Sequence, residues 1–93
     1  MCGICGHTGS ESTILPTMLK YIRRRGPDSE GKFSKNNIHL AAARLSIRDI
    51  KNGKQPFFHE DIKYVTVFNG EIYNYNFLKK IIQEKDYSIK TNC

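Results

Sequence analysis

Small and apolar residues open the chain. Residues 2–6, Cys-Gly-Ile-Cys-Gly, predict a short buried strand, and Thr8-Gly9-Ser10 predicts a turn after it. Ser12 or Thr13 can cap a helix, with Pro16 in its first turn, where a missing N–H costs little. Ile14, Leu15, Met18, Leu19 and Ile22 then recur at helical spacing. Arg23, Arg24 and Arg25 suit the negative end of the helix dipole, and Gly26-Pro27 stops the helix. Residues 28–31 read as loop. Residues 32–34 and 38–43 flank Lys35-Asn36-Asn37 as the arms of a hairpin. Residues 45–50 form a second half-apolar run, closed by Asn52-Gly53. Residues 62–68 alternate and are rich in β-formers, so they predict a strand. Asn69-Gly70 is a turn signal, and Glu71-Ile72-Tyr73 resumes extended. Asn74 or Asn76 can cap a second helix carrying Phe77, Leu78, Ile81 and Ile82, and Tyr87-Ser88-Ile89 opens another strand. Two helices and five or six short strands place the chain in the α+β class.

Composition narrows the function. Hydrophobic residues make up 39% of the 93 positions and charged residues 26%, a balance too apolar for a disordered chain. No apolar run approaches membrane-spanning length, and the N-terminus has neither the basic nor the apolar region of a secretory signal. No membrane partner and a cytoplasmic location are therefore expected. Fifteen Lys+Arg against nine Asp+Glu give a net charge of +6, which raises the question of a nucleic-acid partner. The charges are dispersed, with Arg23-Arg24-Arg25 the one basic block and no nucleic-acid motif beside it, so none is expected.

Three cysteines, Cys2, Cys5 and Cys93, are an odd number in a chain without an export signal, which argues against a disulfide framework. Cys2-x-x-Cys5 has three readings. A redox pair needs a strand before it, and only Met1 precedes this one. A zinc site needs four ligands, and Cys2, Cys5, His7 and Cys93 would be an irregular set. In the third reading Cys2 alone is chemical and Cys5 is a small buried hydrophobe. Removal of Met1, favoured before a small residue, would put a thiol and a free α-amine on Cys2. Their ordinary pKa values, about 8.5 and about 7.7–8.0, let the amine serve as base and then acid for the thiol. No metal is expected.

Two further groups could complete such a site. The Asn69 side-chain amide and the Gly70 backbone N–H can converge on a developing oxyanion, although the same residues also make an ordinary turn. Arg44, after the small residues Ala41-Ala42-Ala43, could fork onto a substrate carboxylate or pair with a local Asp.

Taken in order, Cys2-Gly3-Ile4, Arg25-Gly26-Pro27-Asp28-Ser29-Glu30-Gly31, Ala43-Arg44-Leu45-Ser46-Ile47-Arg48-Asp49, Gly53-Lys54-Gln55-Pro56 and Phe68-Asn69-Gly70-Glu71-Ile72-Tyr73-Asn74 closely resemble the class II glutamine amidotransferase domain of glutamine-hydrolysing asparagine synthetases. Related amidotransferases of secondary-metabolite or sugar pathways share similar motifs and stay open as alternatives. The resemblance implies an N-terminal-nucleophile αββα sandwich. It implies that Cys2 attacks the side-chain amide of L-glutamine. Asn69 and Gly70 would form the oxyanion hole, Arg44 would bind the α-carboxylate and Glu71 the α-amino group. The backbone around Ile47 and Arg48 would line the pocket, with Arg25 and Asp28 shaping the loop over it. The family pattern usually has a longer polar residue where Ala43 stands and an apolar one where Arg48 stands. It also places a glutamine-binding Asp just beyond Cys93. Residues 1–93 are thus expected to be the first part of the amidotransferase domain, with Cys93 in a substrate-pocket loop. A synthetase domain using L-aspartate, ATP and Mg²⁺ would follow, and a homodimer is a candidate assembly at full length. No cofactor is expected in this segment.

Overall fold

The computed structural model describes residues 2–59 and 63–89. The expectations for Met1, Ile62 and Cys93 lie outside them. Strand β1 (Gly3–Thr8) leads into helix α1 (Ile14–Ile22) and a 3-10 turn at Arg23–Arg25. Strands β2 (Ser29–Lys35) and β3 (Ile38–Arg44) follow as a hairpin. Asn36 and Asn37 form its two-residue turn with φ of 51° and 60°, the left-handed conformations that a tight hairpin demands and that Asn tolerates. The sheet order is β1-β3-β2, antiparallel throughout.

Strand alternation divides this sheet into two unlike faces. On one, Gly3, Cys5 and His7 of β1 stand opposite Ala43, Ala41 and His39 of β3. Helix α1 lies on this face. Leu15 and Leu19 pack on Ala41 and Ala43, with Cys5 and Ile22 at the margin, and the four core residues are at most 2% exposed. Small residues on the sheet let the helix come close: a Cβ added at Gly3 would sit 3.1 Å from the Cβ of Ile22. Burying two leucines here contributes about 1.5–3 kcal/mol each.

The other face carries Ile4, Phe33, Leu40, Ala42 and Arg44. Residues 53–58 cover part of it. The backbone crosses Gly31 so closely that a Cβ there would lie 1.7 Å from the Gln55 carbonyl oxygen. Phe58 meets Phe33 edge-on, with ring centroids 5.9 Å apart. Beyond lie a two-stranded ladder, β4 (Phe57–Phe58) with β5 (Val65–Thr66), and helix α2 (Tyr75–Glu84). No residue of α2 is fully buried.

The α+β class, the first helix, its stop at Gly26 and the Asn36-Asn37 hairpin all match the sequence pattern. Several details differ. Residues 29–31 are strand because β3 runs long enough to pair them, Ser29 with Arg44. Residues 45–50 form no strand, since the carbonyls of residues 48–50 bond to the Arg44 side chain. Of the predicted strand at 62–68, Ile62 lies outside the described residues, and within 63–68 the strand is Val65–Thr66, the length its short partner Phe57–Phe58 can pair. Residues 71–73 and 87–89 stay irregular, with no ladder partner among the described residues.

Candidate active site

The start of β1 and the end of β3 are neighbours in the antiparallel ladder, Gly3 opposite Ala43, so Cys2 and Arg44, each one residue beyond that pair, lie at the same end of the sheet. The Cys2 thiol, half-buried, points at the Leu45 carbonyl oxygen at 3.8 Å. The Arg25 Nε–H donates to the Cys2 carbonyl at 3.3 Å, fixing the backbone that carries the thiol.

The segment after α1 is fastened to the same corner. Gly26 passes so near β3 that a Cβ would stand 2.0 Å from the Ala43 carbonyl oxygen, a clearance that glycine alone provides. The Asp28 backbone N–H donates to the Arg44 carbonyl at 3.0 Å, and the Asp28 carboxylate accepts the Ser46 N–H at 2.7 Å. Arg23 forms an ion pair with Glu30, which holds the Glu30 carboxyl below the usual carboxylate range, the side-chain hydrogen bond being the main cause. Two residues of the basic block are therefore engaged within the chain itself.

Arg44 is only 5% exposed. Its guanidinium donates to the carbonyls of Arg48 at 2.6 Å, Asp49 at 2.8 Å and Ile50 at 3.2 Å. Three of its five N–H donors are used on backbone, and none of these bonds goes to a carboxylate. A buried cation satisfied by neutral dipoles alone retains a strong attraction for an anion. Arg44 thus gathers the backbone of Arg48, Asp49 and Ile50 around itself. The Ile47 side chain is exposed, and the Arg48 guanidinium lies 5.7 Å from the centre of the Tyr75 ring.

Asn69 and Gly70 are exposed, and Glu71 beyond them is exposed as well. No hydrogen bond among the described residues joins Asn69 or Gly70 to Cys2 or Arg44. Their anchor is one residue back. The Gln55 carboxamide donates from Nε2 to the Phe68 carbonyl and accepts the Phe68 N–H at Oε1, each at 2.8 Å. Sequence reasoning placed Gln55 in a motif but gave it no role. Its place in Gly53-Lys54-Gln55-Pro56, a polar residue before a proline, was the available signal.

The two cysteines do not form a pair. Cys5 faces α1 from within β1, whereas Cys2 precedes that strand, about 10 Å of extended chain away. An odd separation along a strand also sends side chains to opposite faces. Burial pushes the Cys5 thiol up, away from the thiolate that metal binding and redox chemistry use. Among the described residues no group of three or more His, Cys, Asp or Glu is placed to hold a metal ion. No helix among them is long and apolar enough to cross a membrane.

A half-buried thiol just before β1 and a buried guanidinium at the end of β3 thus lie at the same end of the sheet in an α+β chain. The chain belongs to the glutamine amidotransferase domain family, whose pattern matches residues 1–93. It is 38% identical over 100 residues to asparagine synthetase [glutamine-hydrolyzing] 1 of Bacillus subtilis, covering 99% of this chain and 16% of that protein. Asparagine synthetase [glutamine-hydrolyzing] 2 of the same organism is 39% identical over 101 residues, covering 100% of this chain and 14% of the relative. The corresponding protein 1 of Arabidopsis thaliana is 32% identical over 99 residues, 100% of this chain and 17% of its own length. The chain thus spans about one-sixth of these relatives.

Proposed function

We propose that this chain is part of the glutaminase half of a glutamine-dependent asparagine synthetase, within an N-terminal-nucleophile αββα sandwich. The Cys2 sulfur attacks the side-chain amide carbon of L-glutamine. The C–N bond breaks, ammonia leaves and a glutamyl thioester remains, which water hydrolyses to glutamate and the free thiol. With Met1 removed, the Cys2 α-amine takes the thiol proton and passes it to the departing ammonia. The Asn69 amide and the Gly70 N–H stabilise the oxyanion. Arg44 attracts the α-carboxylate through the two donors its loop leaves over, Glu71 holds the α-amino group, and the backbone near Ile47 and Arg48 lines the pocket. Ammonia then amidates ATP-activated L-aspartate in a synthetase portion, to which ATP and Mg²⁺ belong and to which no residue of this chain is assigned. A cytoplasmic location and a homodimer at full length are parts of the same reading.

The observation that carries the proposal is the buried Arg44 guanidinium, whose hydrogen bonds among the described residues all go to backbone carbonyls, at the end of the sheet where β1 and its preceding Cys2 begin. The test is Cys2→Ala in the complete gene product. Glutamine-dependent synthesis is expected to vanish while synthesis from added ammonia persists. An equal fall in both activities would make Cys2 structural and overturn the assignment.

A further inference from the structure

The oxyanion hole proposed above consists of two adjacent residues on an exposed irregular segment. Exposed irregular backbone is a poor support for donors that must hold their place to within a fraction of an ångström. Neither Asn69 nor Gly70 lies in a strand or helix, and the preceding strand β5 is only two residues long.

What steadies this segment is a side chain from elsewhere. The Gln55 carboxamide presents one donor and one acceptor to the backbone of Phe68, the residue before Asn69, and both bonds measure 2.8 Å. A primary amide offers this donor–acceptor pair in one plane, so it acts on Phe68 as a neighbouring strand would.

Gln55 is itself held from two sides. Its carbonyl rests against Gly31, which pairs with Ala42 in the ladder that ends at Arg44. Just upstream, the Gly53 N–H donates to the Asp49 carbonyl at 3.0 Å, and that same carbonyl accepts from Arg44. The carboxamide is therefore mounted on the sheet and on the Arg44 loop, the two parts of the molecule that also place Cys2 and Arg44.

We propose that Gln55 is a positioning residue of the glutaminase site: its carboxamide clasps the Phe68 backbone and thereby sets Asn69 and Gly70 at their distance from Cys2. The inference rests on the reading of Asn69 and Gly70 as oxyanion donors. It touches no reacting atom, and its whole effect passes through those two residues.

A double-mutant cycle in the complete gene product tests it. Gln55→Met keeps the length and removes both hydrogen bonds. Glutamine turnover is expected to fall about 10–100-fold, within the range for a displaced donor, with the KM for glutamine changed less than threefold. In an Asn69→Ala background the same substitution should cost several-fold less than in the wild type, since one of the two donors it places is already gone and only the Gly70 N–H is left to displace. Backbone amide exchange supplies a readout independent of activity: the Phe68 N–H should lose protection in Gln55→Met while the β1–β3 amides keep theirs. An equal cost in both backgrounds would make Gln55 merely structural and overturn the proposal, as would unchanged Phe68 exchange. If Asn69→Ala alone leaves turnover intact, the oxyanion reading fails and Gln55 loses its catalytic role with it. If the wild-type protein releases no glutamate from glutamine, both readings fall together, whatever the exchange data show.

Discussion

Arg44 combines a proposed role in binding glutamine with a visible structural one. Its buried guanidinium supports the carbonyls of residues 48–50 at the end of the sheet where β1 begins. Arg44→Ala is expected to do two things: raise the KM for glutamine at least tenfold, and lower stability by about 1–3 kcal/mol as three backbone carbonyls lose the guanidinium. Steady-state kinetics and denaturant unfolding of the same variant check both, and a variant that changes only the KM would show that the loop holds itself. Asn69→Ala should act differently, cutting turnover about 10²–10³-fold with little change in KM, because the charge it stabilises exists only in the transition state. Cys5 carries a pH prediction. Burial raises its folded-state pKa above the unfolded value, so the buried neutral thiol is favourable below the unfolded pKa, about 8.5. That contribution is lost as pH rises through the folded pKa. Melting temperature should fall on going from pH 8 to pH 10, and Cys5→Ala, though less stable at pH 7, should show a shallower fall.

At the level of elements, the turn between β2 and β3 sets the register of the hairpin, and two crowded glycines set how closely neighbouring backbone lies on the sheet. Asn37 sits at φ 60°, where glycine is freer than any residue with a Cβ. Asn37→Gly should be neutral to mildly stabilising, whereas Asn37→Val should cost about 1–2 kcal/mol, read from thermal melts. Gly26 and Gly31 have ordinary φ values, and their constraint is space. A methyl group on either would meet backbone, at 2.0 Å and 1.7 Å, and backbone has no rotamer with which to step aside. Gly31→Ala should therefore loosen residues 53–58 from the sheet. Its loss, about 2 kcal/mol or more, should come with exposure of Phe68 to amide exchange, since Gln55 would move with its loop.

Across the whole molecule, the two faces of the sheet are unequally covered. Helix α1 buries Ala41 and Ala43 on one face, whereas Ile4 is 42% exposed and Ile38 48% on the other, and α2 displays Phe77 at 63% exposure. Apolar area of this kind favours association or further packing. The 93-residue chain expressed alone is expected to bind hydrophobic dyes, to melt without a sharp cooperative transition and to release no glutamate from glutamine. Far-UV dichroism with a glutaminase assay checks this, and a cooperative melt with Cys2-dependent turnover would contradict it.

Local chemistry was legible wherever a residue's neighbours in sequence decide its state. The helical spacing of Ile14, Leu15, Leu19 and Ile22, the stop at Gly26-Pro27 and the turn at Asn36-Asn37 depend on contacts within a few residues, and they appear in the structure where the pattern put them. The ordered motifs likewise indicated the amidotransferase family from side-chain identities alone. Pairing was a different matter. Ser29 to Gly31 read as loop and became strand because β3 lay alongside, and residues 45–50 read as half-apolar and became a loop because Arg44 claimed their carbonyls. Gln55 was one residue of a motif until folding brought it, thirteen positions away, to the backbone of Phe68. Backbone groups must find partners wherever the fold brings them. The partners of a residue like Gln55 lie far off in sequence, so only the tertiary structure could name them.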